Sequence, residues 1–366
     1  SRGSGHLWLG GAVGSLLYNT IVLGTFWLLT MFYRRETYSE LREMVFFGGL
    51  FSLVVLMTAG FAELFPARPE LIPIPFAAIL VTLLYDGRTG VFAALTLTVL
   101  LEGQWALRET FILFFGLVGG VAGAIGIRVV RRRRHLYLTI GALAVGSVLA
   151  SLTVGLTQGW SVIAIVASAL LGVLMAPASA SLAMIVMPLA ESATRITTDL
   201  TLLELSDLGR PLLRRLALEA PGTWAHSLAM ASLCESACNI IGANGLLARV
   251  GCYYHDIGKL ADPGFFMENQ GGGPNPHDEL SPVESARIIR RHVTDGLALA
   301  EAAELPRIVK AFIPEHHGTT EITYFLNRAQ RGEPLERINL AEYRYPGPRP
   351  QSAETAVAML ADSAEA

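Results

Sequence analysis

Six of the eight histidines lie in the second half of the chain, and their spacing suits metal ligation. They are His226, His255, His277, His292, His316 and His317. The steps from His226 to His255, from there to His292, and on to His316 are 29, 37 and 24 residues. These steps are long enough to place each residue on a different helix, and helical bundles build metal sites from inward-pointing side chains on facing helices. We therefore expect one metal cluster drawn from several helices.

Two histidine–aspartate pairs are candidates for the centre of this cluster. His255-Asp256 stands in "VGCYYHDIGKL", after an apolar helical stretch, and has other histidines at helix-to-helix spacing. His277-Asp278 stands in "NPHDELSP", among prolines and glycines and just before a helix predicted to begin near Pro282. We expect the first pair to bind metal and the second to be structural.

Each histidine also has a purely structural explanation. His226 follows a Pro-Gly break, where a core histidine bonded to the backbone is ordinary. His292 could lie on the surface near a helix end, and the pair His316-His317 could cap a helix before a glycine. Taken together with Asp256, however, these imidazoles leave several polar groups inside apolar helices, and one metal cluster would satisfy them all.

The candidate ligands lie in a region predicted to be entirely helical. From Glu191 onward, apolar residues recur at intervals of three and four, with breaks at proline and glycine. No alternating strand pattern with hairpin turns is present. We predict a connecting helix at 191–208 and an all-helical domain at 209–366.

The first half of the chain has the composition of a membrane domain. The whole chain is 52% apolar and 16% charged. Apolar segments long enough to cross a bilayer occur at 7–33, 44–63, 71–86, 88–102, 110–130, 136–157 and 161–189. The third and fourth are short and separated only by "DGRTG", so six or seven spans fit. We predict an all-α protein with a polytopic seven-helix transmembrane bundle at 1–190.

Loop arginines predict the orientation of these spans. The alternate loops "RRETYSELREM", "DGRTG" and "RVVRRRRH" contain nine arginines, and the other three loops contain two. The arginine-rich loops, including the run Arg131–Arg134, are expected in the cytoplasm together with the helical domain. The few charges of the spans, Glu63, Glu102 and Arg128, lie at span ends. This favours an anchor or signal-transmitting bundle over an ion-coupled carrier.

Several motifs together resemble the HD phosphohydrolase superfamily. They are His226, "HDIGK" at 255–259, His292, "EHHGT" at 315–319 and "MLADS" at 359–363. The longer phrases "ENQ", "NPHDELSP", "HVTDG" and "YRYPGPRPQSAETAVAMLADSAEA" are similar to the seven-transmembrane HD group, the PgpH-type cyclic di-AMP phosphodiesterases. The resemblance covers nearly the whole chain, both the spans and the helical half.

The resemblance implies a cytoplasmic all-helical HD domain with two divalent transition-metal ions, iron or manganese. One ion would be bound by His226, His255, Asp256 and Asp362. The other would be bound by His292, His316 and His317, with Asp256 bridging. Imidazole and carboxylate ligands without thiolate suit such metals. The implied reaction is attack of a metal-activated hydroxide on cyclic di-AMP, which gives pApA.

The resemblance implies catalytic roles for Asp256 and Lys259, and contact of Lys259 with the phosphate or the leaving 3′-oxygen. Spacing alone explains Lys259 equally well as a lysine at a helix end. Residues 191–366 contain 16 basic and 23 acidic side chains, a net charge of −7, so local groups must attract an anionic nucleotide. Arg344 and Tyr345 are candidates for substrate binding, although ordinary loop anchoring also explains them.

The sequence is also compatible with other functions and with a larger protein. In "HHGTTEITYF", Gly318 directly follows the paired histidines, where related cyclic di-GMP enzymes carry a glutamate. This difference disfavours cyclic di-GMP as the substrate. The alternatives are hydrolysis of another cyclic dinucleotide, or a nucleotide-binding membrane receptor without turnover. Family members have an extracellular sensory domain before the spans and further HD helices after "ADS". We therefore expect part of a longer bacterial cell-membrane protein, a possible homodimer, with no nucleic acid polymer as partner.

Overall fold

The computed structural model describes residues 2–66, 68–104, 111–126, 133–332 and 334–365. These residues form two compact units, one up to Thr198 and the other from Asp199 onward. Both units are helical, and the described residues contain no strand beyond an isolated bridge between Glu321 and Arg344. The predicted all-α class is confirmed.

The first unit consists of apolar helices joined by short connections. They are α1 (Arg2–Tyr33), α2 (Arg35–Ser39), α3 (Leu41–Leu64), α4 (Ile74–Leu84), α5 (Gly87–Glu102), α6 (Ile112–Gly126), α7 (Arg133–Thr157) and α8 (Val162–Thr194). Within the described residues, four of them are long and apolar enough to cross a membrane, namely α1, α3, α7 and α8. The other predicted spans correspond to the shorter helices α4, α5 and α6.

The third predicted span is much shorter in the structure than its apolar sequence. At a rise of about 1.5 Å per residue, an 11-residue helix such as α4 is about 16 Å long, half the thickness of a hydrocarbon core. Nine of its residues are buried, and it contacts α5, α6 and α8. The hairpin of α4 and α5 therefore lies inside the unit, and the count of seven spans stays a prediction.

A salt bridge joins two of the arginine-rich loops of this unit. Arg34 Nη1 lies 2.6 Å from Asp86 Oδ2. The other oxygen of Asp86 accepts from the Thr89 backbone N–H at 2.8 Å and caps α5. This contact brings together "RRETYSELREM" and "DGRTG", as the alternation of the predicted spans requires. Arg128, Arg131 and Arg132 of the third loop lie outside the described residues.

The second unit packs its helices around one main apolar core. They are α9 (Asp199–Leu205), α10 (Pro211–Glu219), α11 (Pro221–Ile241), α12 (Gly245–Tyr254), α13 (Pro282–Ala302), α14 (Arg307–Lys310), α15 (Phe312–Glu315), α16 (Thr323–Gln330) and α17 (Ala353–Glu365). In the predicted connecting region, α8 ends at Thr194, residues 195–198 are not helical, and α9 follows. The three cysteines, Cys234, Cys238 and Cys252, are buried and free.

Helix starts in this unit follow from their capping residues. The Ser281 hydroxyl accepts from the Glu284 backbone N–H, and the Ser281 backbone N–H donates to the Glu284 carboxylate. These two bonds form a capping box before the predicted helix start at Pro282. Helix α11 begins with Pro221 and is capped from a distant segment, because Asn269 Oδ1 accepts from the Gly222 and Thr223 backbone at 2.9 and 3.1 Å. These caps fix the helices that carry His226 and His292.

Candidate metal centre

Asp256 lies at the centre of four imidazoles that come from different elements. Its Oδ2 is 3.3 Å from His255 Nε2 and 4.0 Å from His226 Nε2, on α11. Its Oδ1 is 3.5 Å from His292 Nε2, on α13, and 3.6 Å from His316 Nε2, just after α15. Each carboxylate oxygen therefore faces its own pair of histidines.

Asp362, on α17, closes the cluster on its more exposed side. Its Oδ1 lies 3.2 Å from His226 Nε2, and its Oδ2 lies 3.3 Å from His317 Nδ1. All seven residues named as ligands from the sequence thus come together. Their closest donor atoms form two groups, each with atoms within 4.8 Å of one another: His226, His255 and Asp256, and His292, His316 and His317.

The tautomers of three buried histidines indicate that the cluster requires a cation. Each donates Nδ1–H to a backbone carbonyl, since a carbonyl oxygen can only accept; the pairs are His255 to Cys252 O at 2.7 Å, His292 to Ile289 O at 2.6 Å, and His316 to Phe312 O at 3.0 Å. Their Nε2 lone pairs then point at Asp256. These Nε2 atoms and Asp256 Oδ1 are buried without hydrogen-bond partners. Lone pairs facing a carboxylate need a cation between them, so the residues fit a metal ion.

Electrostatics at the centre matches this requirement. Burial raises the pKa of Asp256, but the Lys259 ammonium holds it well below its usual range. Burial lowers the pKa of His292 to about 4, against the attraction of Asp256, so its ring is neutral at pH 7. Burial also lowers the pKa of His226, yet the carboxylates around it, Asp362 first, raise it to about 9. A metal ion at His226 would therefore have to displace a proton.

Glycine at 258 explains how His255-Asp256 and His292 approach so closely. Helix α12 ends at Tyr254, and a 3₁₀ turn covers Ile257–Ala261. A Cβ on Gly258 would lie 1.8 Å from His292 O and 2.5 Å from Gly296 N, both backbone atoms of α13. Only glycine allows the turn to lie this close to the helix, and the close packing brings the two ligand segments together.

Lys259 points into the cluster of candidate ligands. It lies in the 3₁₀ turn rather than one α-helical turn beyond His255. Its Nζ is 2.7 Å from Asp256 Oδ2 and 2.7 Å from Glu268 Oε1. Lys259 therefore lies beside the candidate metal ligands, and its catalytic role stays a prediction.

The two candidate substrate residues occupy different surroundings. The ring of Tyr345 stacks on His317, with centroids 4.0 Å apart, and meets the edge of His292 at 6.1 Å. Arg344 is bound by Glu321, whose Oε1 accepts from Nε at 3.1 Å and from Nη2 at 2.7 Å. Tyr345 thus contacts the proposed ligands, whereas the Arg344 guanidinium is held in an exposed ion pair.

His277 has a structural environment. Its side chain is buried between Phe265 and Phe325, with ring centroids 5.3 and 4.8 Å away. Its Nε2 donates to Phe265 O at 3.0 Å, and Arg328 Nη1 donates to its carbonyl at 2.9 Å. It belongs to neither candidate metal group within the described residues. This location agrees with the expectation, drawn from the neighbouring prolines and glycines, that His277-Asp278 is a structural pair.

Three carboxylates at or near the centre were given no role from the sequence. Glu365 contacts His226 Nδ1 and lies one turn after Asp362 on α17. Glu268 binds Lys259, and Glu315 precedes the paired histidines. The available sequence signals were the three-residue spacing of Glu365 from Asp362 and the positions of Glu268 and Glu315 in the quoted stretches "ENQ" and "EHHGT".

Glu315 connects the paired histidines to the helix that carries Asp362. This buried carboxylate accepts from the Gln351 backbone N–H at 2.8 Å and from Thr355 Oγ1 at 2.7 Å, at the start of α17. We expect Glu315→Ala to lower the free energy of unfolding by about 2 kcal/mol, because both donors lose their buried acceptor. Thermal unfolding of the metal-free protein checks this. Glu336→Ala, at an exposed position, should change stability little, and equal losses would contradict the assigned role.

Both halves of the chain match known protein families. Residues 9–198 match the family model described as "7TM receptor with intracellular HD hydrolase", and residues 223–366 match the HD domain model. Cyclic-di-AMP phosphodiesterase PgpH of Bacillus subtilis (strain 168) is 37% identical over 303 residues, which cover 81% of this chain and 42% of that protein. The protein of the same name from Listeria monocytogenes is 43% identical over 181 residues, or 50% of this chain and 25% of that protein.

A solved structure is also similar to the second half. The crystal structure of the L. monocytogenes phosphodiesterase PgpH HD domain in complex with cyclic di-AMP is 43% identical in sequence, with a TM-score of 0.42. The matched region covers 44% of this chain and 74% of the chain in that crystal structure. The chain spans about two fifths of the length of its B. subtilis relative.

Proposed function

Because the chain belongs to the family of 7TM receptors with an intracellular HD hydrolase, we propose that it is a membrane-anchored, metal-dependent phosphodiesterase that hydrolyses cyclic di-AMP to pApA. The observation that carries this proposal is the set of buried imidazole lone pairs converging on Asp256. Two relatives named as cyclic di-AMP phosphodiesterases support the choice of substrate.

The cofactor in this proposal is a pair of divalent transition-metal ions, iron or manganese. His226, His255, Asp256 and Asp362 would hold the first. His292, His316 and His317 would hold the second, with Asp256 shared. Nitrogen and oxygen donors without thiolate favour such ions over soft metals. When bound, the ions lower the pKa of water and withdraw charge from the phosphodiester.

The remaining groups would bind and orient the substrate. The Lys259 ammonium would donate to a phosphate oxygen or to the leaving 3′-oxygen. Tyr345 would contact a base, as aromatic rings do in other nucleotide sites. Arg344 would contribute only after exchanging its partner Glu321 for a phosphate. Asp256 would be a ligand in both halves of the centre, which makes it the first choice for substitution.

The membrane unit would anchor the hydrolase and pass a signal to it. The arginine-rich loops support placement of the HD domain in the cytoplasm of a bacterial cell. Control by an extracellular signal and assembly as a homodimer are further parts of this proposal. The unit boundaries at 190 and 208 remain predictions, next to the division at Thr198.

Turnover of a panel of cyclic dinucleotides tests the function. We expect the full chain in lipid nanodiscs, loaded with Mn²⁺, to convert cyclic di-AMP to pApA faster than it converts cyclic di-GMP. Excess chelator should abolish the reaction, and Mn²⁺ should restore it. Hydrolysis of another cyclic dinucleotide alone would overturn the substrate, and tight binding without product would favour a receptor instead.

A further inference from the structure

Lys259 is held between two carboxylates, of which only Asp256 is a proposed metal ligand. Its Nζ lies 2.7 Å from Asp256 Oδ2 and 2.7 Å from Glu268 Oε1. The ring of Phe266 covers it, with 5.1 Å from Nζ to the centroid. We propose that Glu268 is a positioning residue that fixes the Lys259 ammonium for the phosphate of the substrate, an inference that rests on the proposed phosphodiesterase function.

The hydrogen-bond capacity of the ammonium supports this role. A lysine ammonium has three N–H donors on a flexible four-carbon stem. Two of the donors are used by Asp256 and Glu268, and the side chain of Lys259 is only 14% exposed. Two fixed bonds define the direction of the third N–H. Without Glu268, the ammonium has one acceptor and can rotate about the bond to Asp256.

Glu268 is itself fixed to the helix that carries a metal ligand. Thr223 Oγ1 donates to Glu268 Oε1 at 2.9 Å, and Asn269 Nδ2 donates to Thr223 Oγ1 at 2.9 Å. The backbone fits as closely, since a Cβ on Gly222 would lie 1.9 Å from Glu268 O. The segment Met267–Asn269 is therefore fixed as one piece against the start of α11.

This attachment places Lys259 and His226 in a common frame. His226 lies one turn beyond Thr223 on α11, and its Nε2 is 4.0 Å from the same Asp256 oxygen that binds Lys259. The ammonium is thus positioned relative to the first metal group through two paths, Asp256 directly and Glu268 by way of α11. Removing Glu268 should leave the ligand set intact and disturb only the direction of the ammonium.

A double-mutant cycle tests this coupling by activity. We expect Glu268→Ala to lower kcat/KM on cyclic di-AMP by about tenfold, the loss of one charge-assisted hydrogen bond, with metal content unchanged. Glu268→Gln, which retains an acceptor, should recover most of the loss. In a Lys259→Ala background, Glu268→Ala should cost less than about twofold more, because the two residues act as a unit. Glu279→Gln, an exposed carboxylate in the following 3₁₀ turn, is the matched control.

Lysine labelling provides a second readout that needs no turnover. The chain has only two lysines, Lys259 and Lys310, and Lys310 pairs with Glu301. Glu268→Ala should speed acylation of Lys259 several-fold, measured by mass spectrometry, and leave the Lys310 rate unchanged. Glu301→Ala should do the reverse.

Two results would overturn the proposal for Glu268. One is an unchanged Lys259 labelling rate in Glu268→Ala, and the other is an equal kinetic loss with and without Lys259. A wild-type protein that leaves cyclic di-AMP intact would overturn the proposed function instead, while the labelling comparison would still decide the position of Lys259.

Discussion

Asp256→Ala is expected to leave the protein with almost no bound metal in either group of ligands. The reason is geometric, because Oδ2 faces His255 and His226 while Oδ1 faces His292 and His316. Removing the shared carboxylate takes one ligand from each group and also the negative charge that offsets two cations. Elemental analysis of protein purified in the presence of Mn²⁺ checks this, with activity expected to fall at least a hundredfold, to about background.

Two further variants make the metal experiment specific. Asp256→Asn keeps the shape of the side chain and should lose most of the metal, since it removes the charge and replaces one oxygen donor with an amide nitrogen. Asp278→Ala changes the aspartate of the other His-Asp pair and should keep the wild-type metal content. Circular dichroism should show the same helix content in all three. Full metal content in a folded Asp256→Ala protein would disprove a shared ligand.

Gly258→Ala is the second change with a large expected effect. Its Cβ would lie 1.8 Å from His292 O and 2.5 Å from Gly296 N, so the 3₁₀ turn must move away from α13. Backbone atoms cannot rotate aside as a side chain can, and overpacking at such a contact costs about 3 kcal/mol. The same movement separates His255-Asp256 from His292. We expect lower thermal stability together with weaker metal binding.

A glycine in open space is the matched control for this substitution. A Cβ on Gly264 would meet no atom within 4 Å, and Gly264 lies in the neighbouring 3₁₀ turn Pro263–Phe265. Gly264→Ala should change stability by less than about 1 kcal/mol and leave metal binding as in wild type. Similar losses in both variants would mean that the close contact at Gly258 has no special importance.

The convergence of the candidate metal ligands was predictable because the sequence signals for it are long-range but regular. Histidines at helix-to-helix intervals, one of them beside Asp256, predict convergence in any helical bundle. Asp362 required the family resemblance, since one aspartate near a helix end carries no distinctive pattern. His277 could be set aside because its neighbours indicate a turn, and its buried contact with Phe265 and Phe325 explains why a histidine occurs there.

The residues that the sequence did not reveal act through tertiary contacts. Glu268 and Thr223 are 45 residues apart, and no periodicity links them. The backbone at Lys259 depends on a contact of the same kind. Close packing of Gly258 against α13 requires a 3₁₀ turn there rather than a continuation of α12. Contacts of this kind depend on which helices become neighbours.

Helix lengths in the first unit show a further difference between composition and structure. The predicted third span covers residues 71–86, yet α4 begins only at Ile74 and ends at Leu84. Pro73 and Pro75 lack the N–H group that a helix interior requires, so they mark its start. Asp86 then caps α5 directly. Apolar composition therefore overestimated the length of this helix.

Hydrolysis in ¹⁸O-water by the Mn²⁺-loaded full chain tests the central claim most directly. If the Asp256 centre activates water toward a phosphodiester, cyclic di-AMP should give pApA carrying one ¹⁸O in its terminal 5′-phosphate, and Asp256→Ala should give none. Mass spectrometry of the product distinguishes the outcomes. Unchanged cyclic di-AMP, or pApA without the label, would contradict a metal-dependent phosphodiesterase at this site.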